Sequence, residues 1–139
     1  MFRRILVPFD GSENARRALD VAVDLARRYK AEVSAVTVVS LPEFAASVDE
    51  VDQVKEQGRK FFEDSLREAQ ASAFKAGVSL KTELIYGHRS EAILEYARKS
   101  LADLIVIGSR GLSTVERYVL GSVSEVVVHH AHCSVLVVR

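Results

Sequence analysis

The sequence predicts an α/β fold, a single doubly wound, Rossmann-like domain in which helices cover both faces of a parallel sheet. Short apolar runs of strand length alternate along the chain with longer stretches whose apolar residues recur at helical spacing. The run Leu104 to Ile107 is apolar throughout, as strands buried on both faces of a parallel sheet are. Two of the expected strands end in glycine-bearing turns, Asp10-Gly11-Ser12 and Gly108-Ser109-Arg110-Gly111, where such folds bind their ligands.

The elements follow in order. Arg3 to Phe9 is the first strand, with Pro8 near its end, where a missing ladder donor is tolerated. Asp10-Gly11-Ser12 is a turn, Ser12 suits an N-cap, and Glu13 suits the first turn of the helix that follows. From Glu13 to Tyr29, Ala15, Ala18, Leu19, Ala22, Val23 and Ala26 line one face, and Arg16, Arg17, Asp20, Asp24, Arg27 and Arg28 the other. The valine-rich segment Glu32 to Val39 is a second strand, followed by a loop around Leu41-Pro42-Glu43-Phe44. A long helix is expected from about Val48 to Ala76, on a stripe of Val51, Val54, Phe62, Leu66, Ala69 and Ala73. Gly58 is a weak point in it, and Gly77 stands in the C′ position. Ser79 to Tyr86 is a third strand. Ala92, Ile93, Tyr96, Ala97 and Leu101 mark another helix, capped near Ser90. Val123, Val126, Val127 and Ala131 recur at helical spacing after Gly121, and Ser134 to Val138 is the last strand. Five strands and four helices fit one domain spanning residues 1–139.

Composition excludes several classes. With 19 basic and 19 acidic residues the chain has no net charge, so nothing marks it for nucleic acid or an anionic membrane. No apolar run approaches membrane-spanning length, and the amino-terminal run is too short for a signal peptide. Cys133 is the single cysteine, which excludes an internal disulfide and points to a reducing, cytoplasmic setting.

The candidate site lies between Asp103 and Glu125. Gly108 and Gly111 let a ligand approach the backbone, and nine further residues lead to Gly121-Ser122 at the start of a helix. The first amides of that helix lack partners and carry the positive end of its dipole. A phosphate chain can therefore rest there, with the hydroxyls of Ser122 and Ser124 in reach. Neither the Walker pattern nor Gly-x-Gly-x-x-Gly is present. Arg110 is the cation inside the loop and Arg117, in the spacer, a weaker one. Nothing else supplies positive charge there, so a triphosphate is expected to bring Mg²⁺. Asp10 is either a turn former or a carboxylate facing the crevice. His129 and His132 sit near a helix end, where the dipole accounts for them, and no metal site is expected. His88 lies in the turn after the third strand, at the same end of the sheet as the loop.

The pattern Gly108-x2-Gly111-x9-Gly121-Ser122 resembles the nucleotide-binding signature of the ATP-binding branch of the universal stress protein family. The opening Ile5-Leu-Val-Pro-Phe-Asp10-Gly-Ser12 and the closing Val-Leu-Val-Val-Arg139 resemble that family as well. The resemblance implies strand order 3-2-1-4-5. It also implies an adenine-nucleotide site drawn from Pro8, Asp10, Val38, Ile107, Gly108, Arg110, Gly111, Gly121, Ser122, Val123 and Ser124, with the Val38 backbone at the adenine edge and Asp10 near the ribose or a phosphate-bound cation. ATP, or ADP or AMP derived from it, would be a bound regulatory ligand turned over slowly or not at all. The implied partner is a second copy of the chain, joined through strand 134–138. Two departures stand out: His132-Cys133-Ser134 replaces Pro-Cys-Pro before the last strand, and Gly87-His88-Arg89 lacks a proline often found in that turn. Two other readings are an enzyme that hydrolyses ATP or transfers its nucleotidyl group, and a dimeric module that binds no nucleotide. No nucleophile with a base partner is visible in support of an enzyme.

Overall fold

The computed structural model describes residues 1–42, 47–110 and 120–139. Five strands, β1 (Arg4–Pro8), β2 (Glu32–Val39), β3 (Leu80–Tyr86), β4 (Leu104–Gly108) and β5 (Ser134–Val138), form one sheet. Every pairing is parallel and the order is β3-β2-β1-β4-β5. Four helices, α1 (Glu13–Tyr29), α2 (Val48–Lys75), α3 (Arg89–Lys99) and α4 (Ser122–His130), connect the strands. No helix among the described residues is long and apolar enough to cross a membrane.

The alternation of side chains along each strand divides the core into two layers. Ile5, Val7 and Phe9 join Val33, Ala35 and Val106 beneath α1 and α2. Leu6 joins Val36, Val38, Ile105 and Ile107 beneath α3 and α4. The first two crossovers thus cover one face and the last two the other, and the winding reverses between β1 and β4. The β1–β2 register continues to Pro8↔Val36, whereas β1 pairs with β4 only at Ile5↔Leu104 and Leu6↔Ile105. Beyond that point the carboxyl ends of β1 and β4 part, and a crevice opens between them.

Ser12 caps α1 as its sequence predicts, its Oγ accepting from the Ala15 amide at 3.2 Å. The expected cap at Ser90 is overturned. The helix begins at Arg89 with His88 in the cap position and no side-chain cap, because extended backbone already ends at His88. Leu101, expected on the apolar stripe of α3, lies past the helix end at φ 58° and is 66% exposed. Gly58, the low-propensity point in the helix, has a packing reason. A Cβ there would stand 2.5 Å from Val39 Cγ1, so the missing side chain lets α2 cross close over the end of β2. The loop residues Glu43 and Phe44 lie outside the described residues.

Candidate functional site

The crevice at the carboxyl ends of the strands holds a cleft. Pro8, Val36, Val38 and Ile107 line it from the strands, and Phe62 of α2 and Ile93 of α3 add apolar surface. All six are buried, and Val36, Val38, Ile93 and Ile107 also pack into the layer beneath α3 and α4. Gly108 and Arg110 line it from the end of β4, and Gly121, Ser122, Val123 and Ser124 from the start of α4. The cleft is therefore apolar along β2 and at Phe62 and Ile93, carries Arg89 at the start of α3, and is lined by backbone and polar groups at the end of β4 and the start of α4.

Short hydrogen bonds fix the polar end. The Gly121 amide donates to the Ser109 carbonyl at 2.7 Å, which ties the two ends of the segment 110–120 together. The Ser109 amide donates to the Val138 carbonyl at 2.8 Å, and Asn14 Nδ2 donates to Ser109 Oγ at 3.0 Å. Ser124, expected to offer its hydroxyl to a ligand, donates it to the Gly108 carbonyl at 2.6 Å. That bond holds the first turn of α4 against the end of β4. Gly121 occupies the cap position and supplies no side chain to the helix amides. The α4 N-terminus thus faces the cleft with its dipole uncompensated by a cap.

Asp10 fulfils the turn role, its Oδ1 accepting from the Ser12 amide at 2.9 Å, and it also lines the cleft. Its other oxygen makes no hydrogen bond among the described residues. The two readings of Asp10 are therefore compatible. Thr37 Oγ1 donates to the Phe9 carbonyl at 2.6 Å, and the Phe9 amide donates to the Val36 carbonyl at 2.8 Å. Those bonds keep the chain on β2 up to the residue before Asp10 and so position its carboxylate.

Of the residues expected at the site, Pro8, Asp10, Val38, Ile107, Gly108, Arg110, Gly121, Ser122, Val123 and Ser124 come together around this cleft. Gly111 and Arg117 lie outside the described residues. Sequence reasoning missed Phe9, Ala15, Val36, Phe62, Ile93 and Arg89. Phe62 and Ile93 read as ordinary helix-stripe residues, with nothing local to mark them as lining. Arg89 was legible: it belongs to the turn after the third strand, at the same end of the sheet as Asp10 and Gly108. It also corrects the expectation that the loop region holds the only positive charge.

The lining contains one carboxylate, Asp10, and no histidine, cysteine or lysine among the described residues. It is suited to holding an anion with an attached apolar group, and it offers no nucleophile paired with a base. Among the described residues no three His, Cys, Asp or Glu side chains cluster as a metal would need.

Comparison with known proteins agrees with this fold. The model of the universal stress protein family matches residues 1–139. A universal stress protein of Methanocaldococcus jannaschii is 36% identical over 145 residues, covering 100% of this chain and 83% of the relative. The structure of universal stress protein UspA from Lactobacillus plantarum superimposes with a TM-score of 0.87 at 32% identity, covering 99% of this chain and 98% of that one. A universal stress protein crystallised in complex with cAMP superimposes with a TM-score of 0.78 at 30% identity, covering 99% and 97% of the two chains.

Proposed function

The chain belongs to the universal stress protein family, and from that premise we propose that its cleft binds an adenine nucleotide and that the protein acts as a nucleotide-dependent regulator in the stress response. The ligand is ATP, or the ADP or AMP derived from it, with Mg²⁺ accompanying the phosphates. One observation carries the proposal: the uncapped N-terminus of α4, from Gly121 to Ser124, lies at one end of a cleft whose other end is apolar. Phosphates suit the amides and dipole of the helix, and a nucleobase suits the surface of Val36, Val38 and Ile93. The cAMP held by a relative of 30% identity supports an adenine ligand.

In this reading the nucleotide is a bound signal and is turned over slowly or not at all. The lining supplies Asp10 without a neighbouring base, which is thin machinery for hydrolysis or nucleotidyl transfer. The protein works in the cytoplasm as a homodimer joined through strand 134–138.

The test is mass spectrometry of the ligand released from natively purified protein, followed by a turnover assay on protein reloaded with ATP·Mg. The reading requires an adenine nucleotide in the released fraction or taken up on reloading, and slow turnover at most. Protein that carries no nucleotide and takes none up contradicts binding. Turnover at ordinary enzyme rates contradicts the regulatory role.

A further inference from the structure

Arg89 is the residue of the cleft that the nucleotide reading leaves without a task. It is the first residue of α3 and lines the same cleft as Val36, Val38 and Ile93. Ile93, one helical turn further along α3, lines the cleft on the same side of that helix. It makes no hydrogen bond, ion pair or ring contact among the described residues. Most other arginines of the helices, Arg98 excepted, have acidic partners: Arg16 pairs with Glu68, Arg27 and Arg28 with Asp24, Arg59 with Glu56, and Arg67 with Glu63.

Its position is also an unfavourable one for a cation. The first turn of a helix carries the positive end of the dipole, where acidic residues are favoured and basic ones are not. On the helix itself, the cap residue His88 gives no side-chain cap, and the acidic residue of the first turn, Glu91, makes no bond to Arg89. A guanidinium is planar, weakly hydrated and able to lie flat on an aromatic ring, which a lysine ammonium cannot do.

We infer that Arg89 is a base-recognition residue, whose guanidinium lies against the heteroaromatic ring of a nucleotide seated on Val36, Val38 and Ile93. This rests on the nucleotide reading and adds to it the residue that makes the cleft prefer a purine ring over a bare phosphate chain. Arg110 and the α4 amides hold the phosphates, and Arg89 with the apolar surface holds the base. The side chain is exposed, so its replacement removes no core contact.

The experiment is calorimetric titration of the wild-type protein, Arg89→Ala and Arg89→Lys with ATP·Mg, and displacement of bound ATP by inorganic tripolyphosphate. The expected result is an affinity for ATP about tenfold lower in Arg89→Ala, with tripolyphosphate as effective a competitor per site as before. Arg89→Lys recovers less than half of the loss, since it restores charge without the plane. Three results overturn the inference while wild-type binding stands: ATP affinity unchanged in Arg89→Ala, an equal loss for ATP and tripolyphosphate, or full recovery in Arg89→Lys. Failure of the wild-type protein to bind ATP is a separate result and overturns the nucleotide reading itself.

Discussion

Gly108 lies so close to Asn14 that a Cβ at position 108 would stand 2.8 Å from the Asn14 carbonyl carbon and 2.9 Å from its oxygen. The obstacle is helix backbone, which cannot swing aside. The first turn of α1 is packed into the end of β4, and the Asn14 side chain adds its bond to Ser109. Glycine at 108 is therefore required by packing whether or not a ligand is present. Gly108→Ala should lower stability by about 1–3 kcal/mol with no nucleotide in solution, as overpacked sites do. Chemical denaturation of the ligand-free protein checks this, and unchanged stability would return Gly108 to a purely ligand-related role.

Gly121 behaves differently. Its φ of −60° and ψ of 155° are extended backbone that any residue adopts, so a side chain there adds no backbone strain. Gly121→Val should stay folded and lose most of its nucleotide affinity, because a branched side chain then stands where phosphates approach the helix. Ser122→Ala removes one exposed hydroxyl and keeps the amides, so its affinity should fall about ten- to a hundredfold. Parallel calorimetry and thermal melts separate these effects. Two folded variants with wild-type affinity would place the phosphates elsewhere.

Much of this was legible in the chain. The apolar runs at Leu104–Ile107 and Arg3–Phe9 and the amphipathic pattern of Glu13–Tyr29 locate β4, β1 and α1 within a residue or so, because each is long, regular and closed by a turn signal. The strand order came from the resemblance, since spacing alone does not say which strand lies beside which. What stayed hidden depends on distance in space. Nothing next to Gly58 announces Val39, and nothing next to Gly108 announces Asn14, because each partner arrives from another element. Ser124 looked like a ligand hydroxyl because its neighbours in sequence are loop and helix start. Only the folded chain brings the Gly108 carbonyl to it. Leu101 matched the helical spacing but falls after the turn that ends α3, where periodicity no longer reports on the core.

The β5 edge bears on assembly. Among the described residues β5 pairs only with β4, so its other side offers backbone groups without a described partner next to Leu136, which is 38% exposed. An apolar edge of that kind invites a second strand. Light scattering at tens of micromolar should give twice the chain mass. Leu136→Lys, or a proline at Val137, should shift the protein towards monomer. A chain mass for the wild-type protein at that concentration would contradict pairing through β5.

Cys133 sits in the turn before β5, half-buried. Burial pushes its thiol up from the ordinary cysteine range, and the Asp103 carboxylate pushes in the same direction. A raised value means less thiolate at neutral pH, and thiolate is the reacting species. Alkylation by iodoacetamide should therefore be slower than that of a small thiol at neutral pH and should accelerate only at more alkaline pH. A time course by intact-mass spectrometry across that range checks the sign, and a rate equal to the free thiol's at neutral pH would contradict it.

The central claim is that the cleft between β1 and β4 takes an adenine nucleotide by its phosphates at the α4 N-terminus. Calorimetric titration of ligand-stripped protein with ATP·Mg, run beside Gly121→Val, tests it most directly. The account predicts saturable binding by the wild-type protein and strongly weakened binding by the folded variant. No heat of binding at millimolar ATP·Mg, or equal affinity for both proteins, would contradict it.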